Sequence, residues 1–170
     1  MANTYVAIQT ITVGSGGQAN IEFTSIPATY TDLQILLCPR TDTGFNSRSL
    51  TMQFNGSTSG YSDRRILGSG STTSSDSNVY GTDEIYIGES AGETSTFSNI
   101  FIYIPNYTSS NNKSVSIDTV QEYNSTTAYA QLVAGLWSNT AAITSIKFIN
   151  IQGGNFAQYS TATLYGIKKD

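Results

Sequence analysis

Runs of alternating apolar and polar residues, each closed by a turn signal, constrain this chain more than any other feature of its sequence. NIEFTSI (20–26) places Ile21 and Phe23 on one face and Glu22 and Thr24 on the other, and Pro27 closes it. LTMQFN (50–55) repeats the pattern through Leu50, Met52 and Phe54 before the turn pair Asn55-Gly56. Successive side chains of a strand point to opposite faces, so each run predicts a strand with one buried side. YVAIQTITV (5–13), DRRIL (63–67), EIYIG (84–88), FSNIFIYIP (97–105), KSVSIDTVQEY (113–123), ITSIKFINI (143–151) and STATLYGIK (160–168) carry related β-branched or aromatic patterns. About ten strands at this spacing predict an all-β antiparallel sandwich.

Three stretches need separate argument. In DLQILLC (32–38), Leu33, Ile35 and Leu37 share one face, but Leu36 and Cys38 make the other face apolar too, which predicts a central strand buried on both sides. TTAYAQLVAGLWS (126–138) fits a helix through Tyr129, Leu132, Val133, Leu136 and Trp137, and a strand through Tyr129, Gln131, Val133, Gly135 and Trp137. Gly135 weakens a helix interior and every neighbouring run reads as strand, so strand is favoured. GSGSTTSSDS (68–77) contains no apolar side chain. The strand patterns on either side of it are too few to build two cores, so residues 1–170 read as one domain with a long exposed loop at 68–83.

Composition excludes whole classes of chemistry. There is no histidine, which removes Ser-His-Asp and Cys-His catalysis and nearly all zinc sites. The single cysteine, Cys38, can form no internal disulfide and reads as a small hydrophobe. Net charge is −4 with scattered Lys and Arg, so nucleic acid is not an expected partner. MANTYVAIQT has no basic or apolar segment of a signal peptide, and no run is apolar enough to span a membrane, so synthesis and residence in a cytoplasm are expected, with no membrane partner.

Candidate sites are correspondingly thin. Asp76, Asp83, Glu84, Glu89 and Glu93 cluster in sequence, but DSNVYGTDE (76–84) lacks calcium-loop spacing and reads as a solvated acidic rim. The carboxylate pairs Asp118 with Glu122 and Glu89 with Glu93 are four residues apart, roughly 13 Å along a strand, too far for a glycosidase pair. No enzyme activity, cofactor or metal is expected. Tyr61, Tyr80, Tyr107 and Tyr159 lie near turns and are the candidate contacts for a partner or a glycan, while Trp137 reads as core.

Five segments together carry a family likeness: FTSIPATYTDLQILLCPR (23–40), LTMQFNGSTSGYSDRRILGSGS (50–71), IFIYIPNYTSSNNKSVS (100–116), GLWSNTAAITSIKFIN (135–150) and NFAQYSTATLYGIKKD (155–170). In this order they resemble a group of small tailed-bacteriophage virion proteins, many known only as minor structural proteins. STATLYGIK is the most specific part, and residues 72–96 match least. The resemblance implies a sandwich of jelly-roll type with no catalytic motif to carry over. It also implies an accessory place in the virion, assembled in the bacterial cytoplasm. A capsid decoration or cement protein, homotrimeric and bound to the major capsid protein or other virion proteins, is the leading expectation. A tail-associated, glycan-binding receptor module is the alternative.

Overall fold

A computed structural model describes residues 4–43, 48–90, 96–123 and 128–168. They form β1 (Tyr5–Thr12), β2 (Asn20–Phe23), β3 (Asp32–Cys38), β4 (Arg48–Phe54), β5 (Tyr61–Ser69), β6 (Thr72–Ser77), β7 (Ile85–Ser90), β8 (Asn99–Ile104), β9 (Lys113–Glu122), β10 (Ala128–Trp137), β11 (Ile146–Asn150) and β12 (Thr161–Ile167). No described residue is helical. The strands make two antiparallel sheets, one of eight in the order β1-β12-β3-β8-β9-β10-β5-β6 and one of four in the order β2-β11-β4-β7. An all-β sandwich is therefore the fold.

Alternation builds it. Along β9 every second side chain from Lys113 to Gln121 is buried and the intervening ones are exposed. Phe23, Met52, Phe54 and Phe148 from the small sheet meet Ile35, Ile102, Ile117 and Leu164 from the large one in a single core. Phe54, Tyr61 and Trp137 pack as one aromatic group, with Trp137 5.6 Å from Phe54 and 6.0 Å from Tyr61 between ring centroids. Lys113 is buried at the start of β9, where its ammonium donates to the carbonyls of Ser109 and Asn111 and pins the preceding turn.

The ambiguous stretch is a strand, and Gly135 shows why. A Cβ there would come within 2.8 Å of Ile85 Cγ2, so the missing side chain lets β7 close down on β10.

Two expectations need correction. The segment 68–77, expected as loop, completes β5 and supplies all of β6, with Gly70 at positive φ in the turn between them. Thr and Ser are strand-compatible when both faces meet water, and an edge strand needs no apolar side. The irregular connection shrinks to residues 78–84. β3 is central, but only Leu33, Ile35 and Leu37 are buried; Leu36 is exposed and Cys38 half-buried. Nothing among the described residues covers the outer side of the large sheet.

Candidate functional site

That uncovered side carries an unusual composition. On a solvated face the outward positions of an antiparallel sheet are ordinarily polar. Here Leu36, Phe101, Val120, Leu132 and Ile66 all point outward, each between 41 and 62 % exposed. Single exposed apolar residues are common and mean little, but a contiguous set marks an interaction surface.

Register makes them contiguous. Leu36 pairs directly with Phe101, Phe101 with Asp118, Asp118 with Leu132, and Leu132 with Ile66. The same row continues through Thr163 to Thr10 at one edge and through Ser75 at the other, so it crosses all eight strands. In the next row Val120 lies between Asn99 and Ala130. Two apolar pairs therefore flank one exposed carboxylate, Asp118. Shallow depressions run along this face, one floored by Leu36, Phe101 and Val120 and another by Ile66, Leu132 and Ala134 beside Arg64. The Arg64 guanidinium donates to the Asp63 carbonyl at 2.7 Å and to Asn78 Oδ1 at 3.1 Å, which fixes a cation at the rim.

With strands ~4.8 Å apart, eight of them span roughly 34 Å, and six residues of strand cover about 20 Å. The face thus offers roughly 700 Å², close to the ~800 Å² per partner of a standard protein interface. Its depressions are open and not enclosed, which suits a protein surface more than a small molecule.

A polar cluster lies where β5, β6 and β10 meet β7. Arg65 donates to Asp76 Oδ2 at 2.9 and 3.1 Å, reaches Gln131 Oε1 at 3.4 Å and stacks over the Tyr86 ring at 4.8 Å. The Tyr86 hydroxyl lies 2.9 Å from both Glu89 Oε1 and Gln131 Oε1, and Ser49 Oγ donates to the same Glu89 carboxylate. Burial, and then the Glu89 charge, push the Tyr86 hydroxyl far above the ordinary phenol range, so it remains a donor. Each of these groups is committed to a neighbour, and together they tie β5, β6, β7 and β10.

The four tyrosines predicted as contacts are not brought together. Tyr61 is buried, its hydroxyl accepting from Phe54 N at 2.8 Å. Tyr107 is fully buried, and its hydroxyl donates to the Pro27 carbonyl. Both lie near turns but point inward: Tyr61 stands at the buried parity of β5 opposite Trp137, and Tyr107 is held by its bond to Pro27. Tyr80 is half-buried, packed on Tyr86 and donating to Ser49 Oγ at 2.5 Å. Tyr159, 67 % exposed and at φ 72°, alone of the four presents a ring to solvent.

Among the carboxylates, Asp118 and Glu122 both stand on the exposed side of β9, and Glu89 is held by Ser49 and Tyr86; Glu93 lies outside the described residues. No group of three potential metal ligands occurs among the described residues. No described helix is long and apolar enough to cross a membrane.

The outer row was missed because the alternation that reveals a buried face says nothing about the opposite one. A signal existed: Leu36, Phe101, Val120, Leu132 and Ile66 all stand at the outward parity of their strands, out of step with their buried neighbours.

No family model matches the chain, and no curated protein matches it. A solved structure with some likeness in its trace is a variant fructofuranosidase from Schwanniomyces occidentalis complexed with fructosylnystose. The two share 6 % identity over 99 % of this chain and 35 % of that one, with a TM-score of 0.29, a similarity that shows neither family nor chemistry. The chain spans about a third of that protein's length.

Proposed function

We propose that the protein is a non-enzymatic accessory component of a tailed-bacteriophage virion, a decoration or cement protein that attaches through the outer face of its eight-stranded sheet. The observation that carries this reading is the exposed row Leu36–Phe101–Asp118–Leu132–Ile66, in register across five adjacent strands. The whole outer face around this row, at roughly 700 Å², is close to the area a standard protein partner covers. The likeness of five ordered segments to small virion proteins supplies the class of partner: the major capsid protein or another virion protein. The jelly-roll type and assembly in the bacterial cytoplasm belong to the same reading. Repeated attachment at many lattice points turns modest single contacts into tight binding.

Co-sedimentation of the purified protein with phage particles tests this. Ile66→Asp/Leu132→Lys places two charges in the apolar row on β5 and β10, where they should weaken binding by about 100-fold or more. Both side chains are exposed, and in register the two new charges alternate in sign with Asp118, so the thermal melt should move little. Undiminished binding by the variant would refute the face as the attachment surface. The tail-associated glycan-binding alternative is less well supported, because stacking needs open rings and Tyr61 and Tyr107 are in the core.

A further inference from the structure

The eight-stranded sheet has two edges, β1 and β6. β1 is irregular, with a register shift between Ala7 and Gln9 that marks a bulge in the edge strand. β6 is different. It keeps unbroken register with β5 over six residue pairs, from Arg64–Ser77 to Ser69–Thr72. Every side chain from Thr72 to Ser77 is exposed, so the second sheet covers neither of its faces. Among the described residues it pairs with no strand but β5.

Natural edge strands are usually protected from pairing by Lys, Pro, a bulge or an unpaired charge. TTSSDS carries no Lys, Arg or Pro, and its one charge, Asp76, is neutralised by Arg65 at 2.9 Å. We propose that β6 is a pairing edge for a second copy of this chain, which it meets antiparallel across a two-fold axis normal to the sheet.

The symmetry restricts the register. Directly opposed residues of antiparallel strands share a face, so the axis passes through a residue and not between two. With the axis at Ser74, Thr72 faces Asp76 of the second copy and Thr73 faces Ser75; with the axis at Ser75, Ser74 faces Asp76 and Thr73 faces Ser77. Either way Asp76 meets a hydroxyl and never its own equivalent. Short hydroxyl side chains lose little rotamer freedom on pairing and make favourable cross-strand contacts. The pairing would also join two outer faces into one sheet of sixteen strands, since Ile66 pairs with Ser75 at this edge. The inference concerns self-association and stands whichever particle the outer face binds.

Sedimentation velocity over a concentration series tests it, with the wild-type chain expected to pass from monomer to dimer. Thr73→Lys/Ser75→Lys opposes like charges in both registers, as does Thr73→Asp/Ser75→Asp. Each variant alone should self-associate about tenfold more weakly or worse. An equimolar mixture of the two should dimerise again, which a misfolded chain would not do. Should either variant fold poorly, amide exchange of wild-type β6 decides: protection should rise with protein concentration. A wild-type chain that stays monomeric, or an oligomer of any size indifferent to both charge patterns, would overturn the proposal.

Discussion

Within a largely aliphatic core, one buried aromatic group sits between the sheets. Trp137 packs against Phe54 and Tyr61 where the two sheets meet, so Trp137→Ala should cost about 3–5 kcal/mol in a urea melt. Tyr61→Phe keeps the ring but leaves the Phe54 amide without its acceptor, and a loss of about 1–2 kcal/mol is expected in the same assay. Four phenols, those of Tyr61, Tyr86, Tyr103 and Tyr107, are raised above their ordinary value, in each case first by burial, with Glu89 adding at Tyr86 and Asp32 at Tyr103. A raised folded value means that the unfolded chain ionises first. Their contribution is therefore complete below the phenol reference of 10.0 and is lost as pH climbs above it through the raised values. Denaturation midpoints should hold up to about pH 10 and then fall, with tyrosinate absorbance developing cooperatively as the chain unfolds. Early, non-cooperative ionisation of all eleven tyrosines would contradict the burial of Tyr61, Tyr86 and Tyr107. Trp137 was legible as core from its place beside Leu136. Tyr61 and Tyr107 were not, because proximity to a turn says nothing about the direction a ring takes.

At the level of elements, most strands announced themselves through period-two alternation. β2 and β4 alternate so cleanly in sequence that one face could only be buried. β6 left no such trace, since a strand exposed on both faces needs no apolar side chains, and Ser-rich sequence reads equally well as loop. What orders it is cross-strand bonding to β5, reinforced by the Arg65–Asp76 pair and by Ser69 and Thr72, whose hydroxyls lie 2.8 Å apart. Asp76→Asn should therefore speed amide exchange along Thr72–Ser77 in dilute protein while leaving the global melt nearly unchanged, because exposed pairs contribute little to overall stability. A large drop in global stability would mean that β6 is integral to the core. β3 taught the converse lesson: two apolar faces in sequence do not require two covered faces in the monomer. Its outward Leu36 belongs to the exposed apolar row of the large sheet.

For the whole molecule, one sandwich presents two unsatisfied features on the same sheet: an apolar outer row and an open edge. Neither contributes to the monomer's core, and an exposed set of this kind lowers solubility unless a partner covers it. The fold class followed from pattern and composition, whereas the outer face emerged only once register aligned residues from β3, β8, β10 and β5 that lie far apart in the chain. The account stands or falls on whether the protein is a particle component. Immunogold electron microscopy, with antibody raised to the folded protein and applied to intact phage particles encoding it, addresses that directly. Regular label over the head is the predicted result. Label confined to the tail would replace decoration with a tail role, and particles bearing no label, under an antibody shown to bind the folded chain, would contradict the virion assignment altogether.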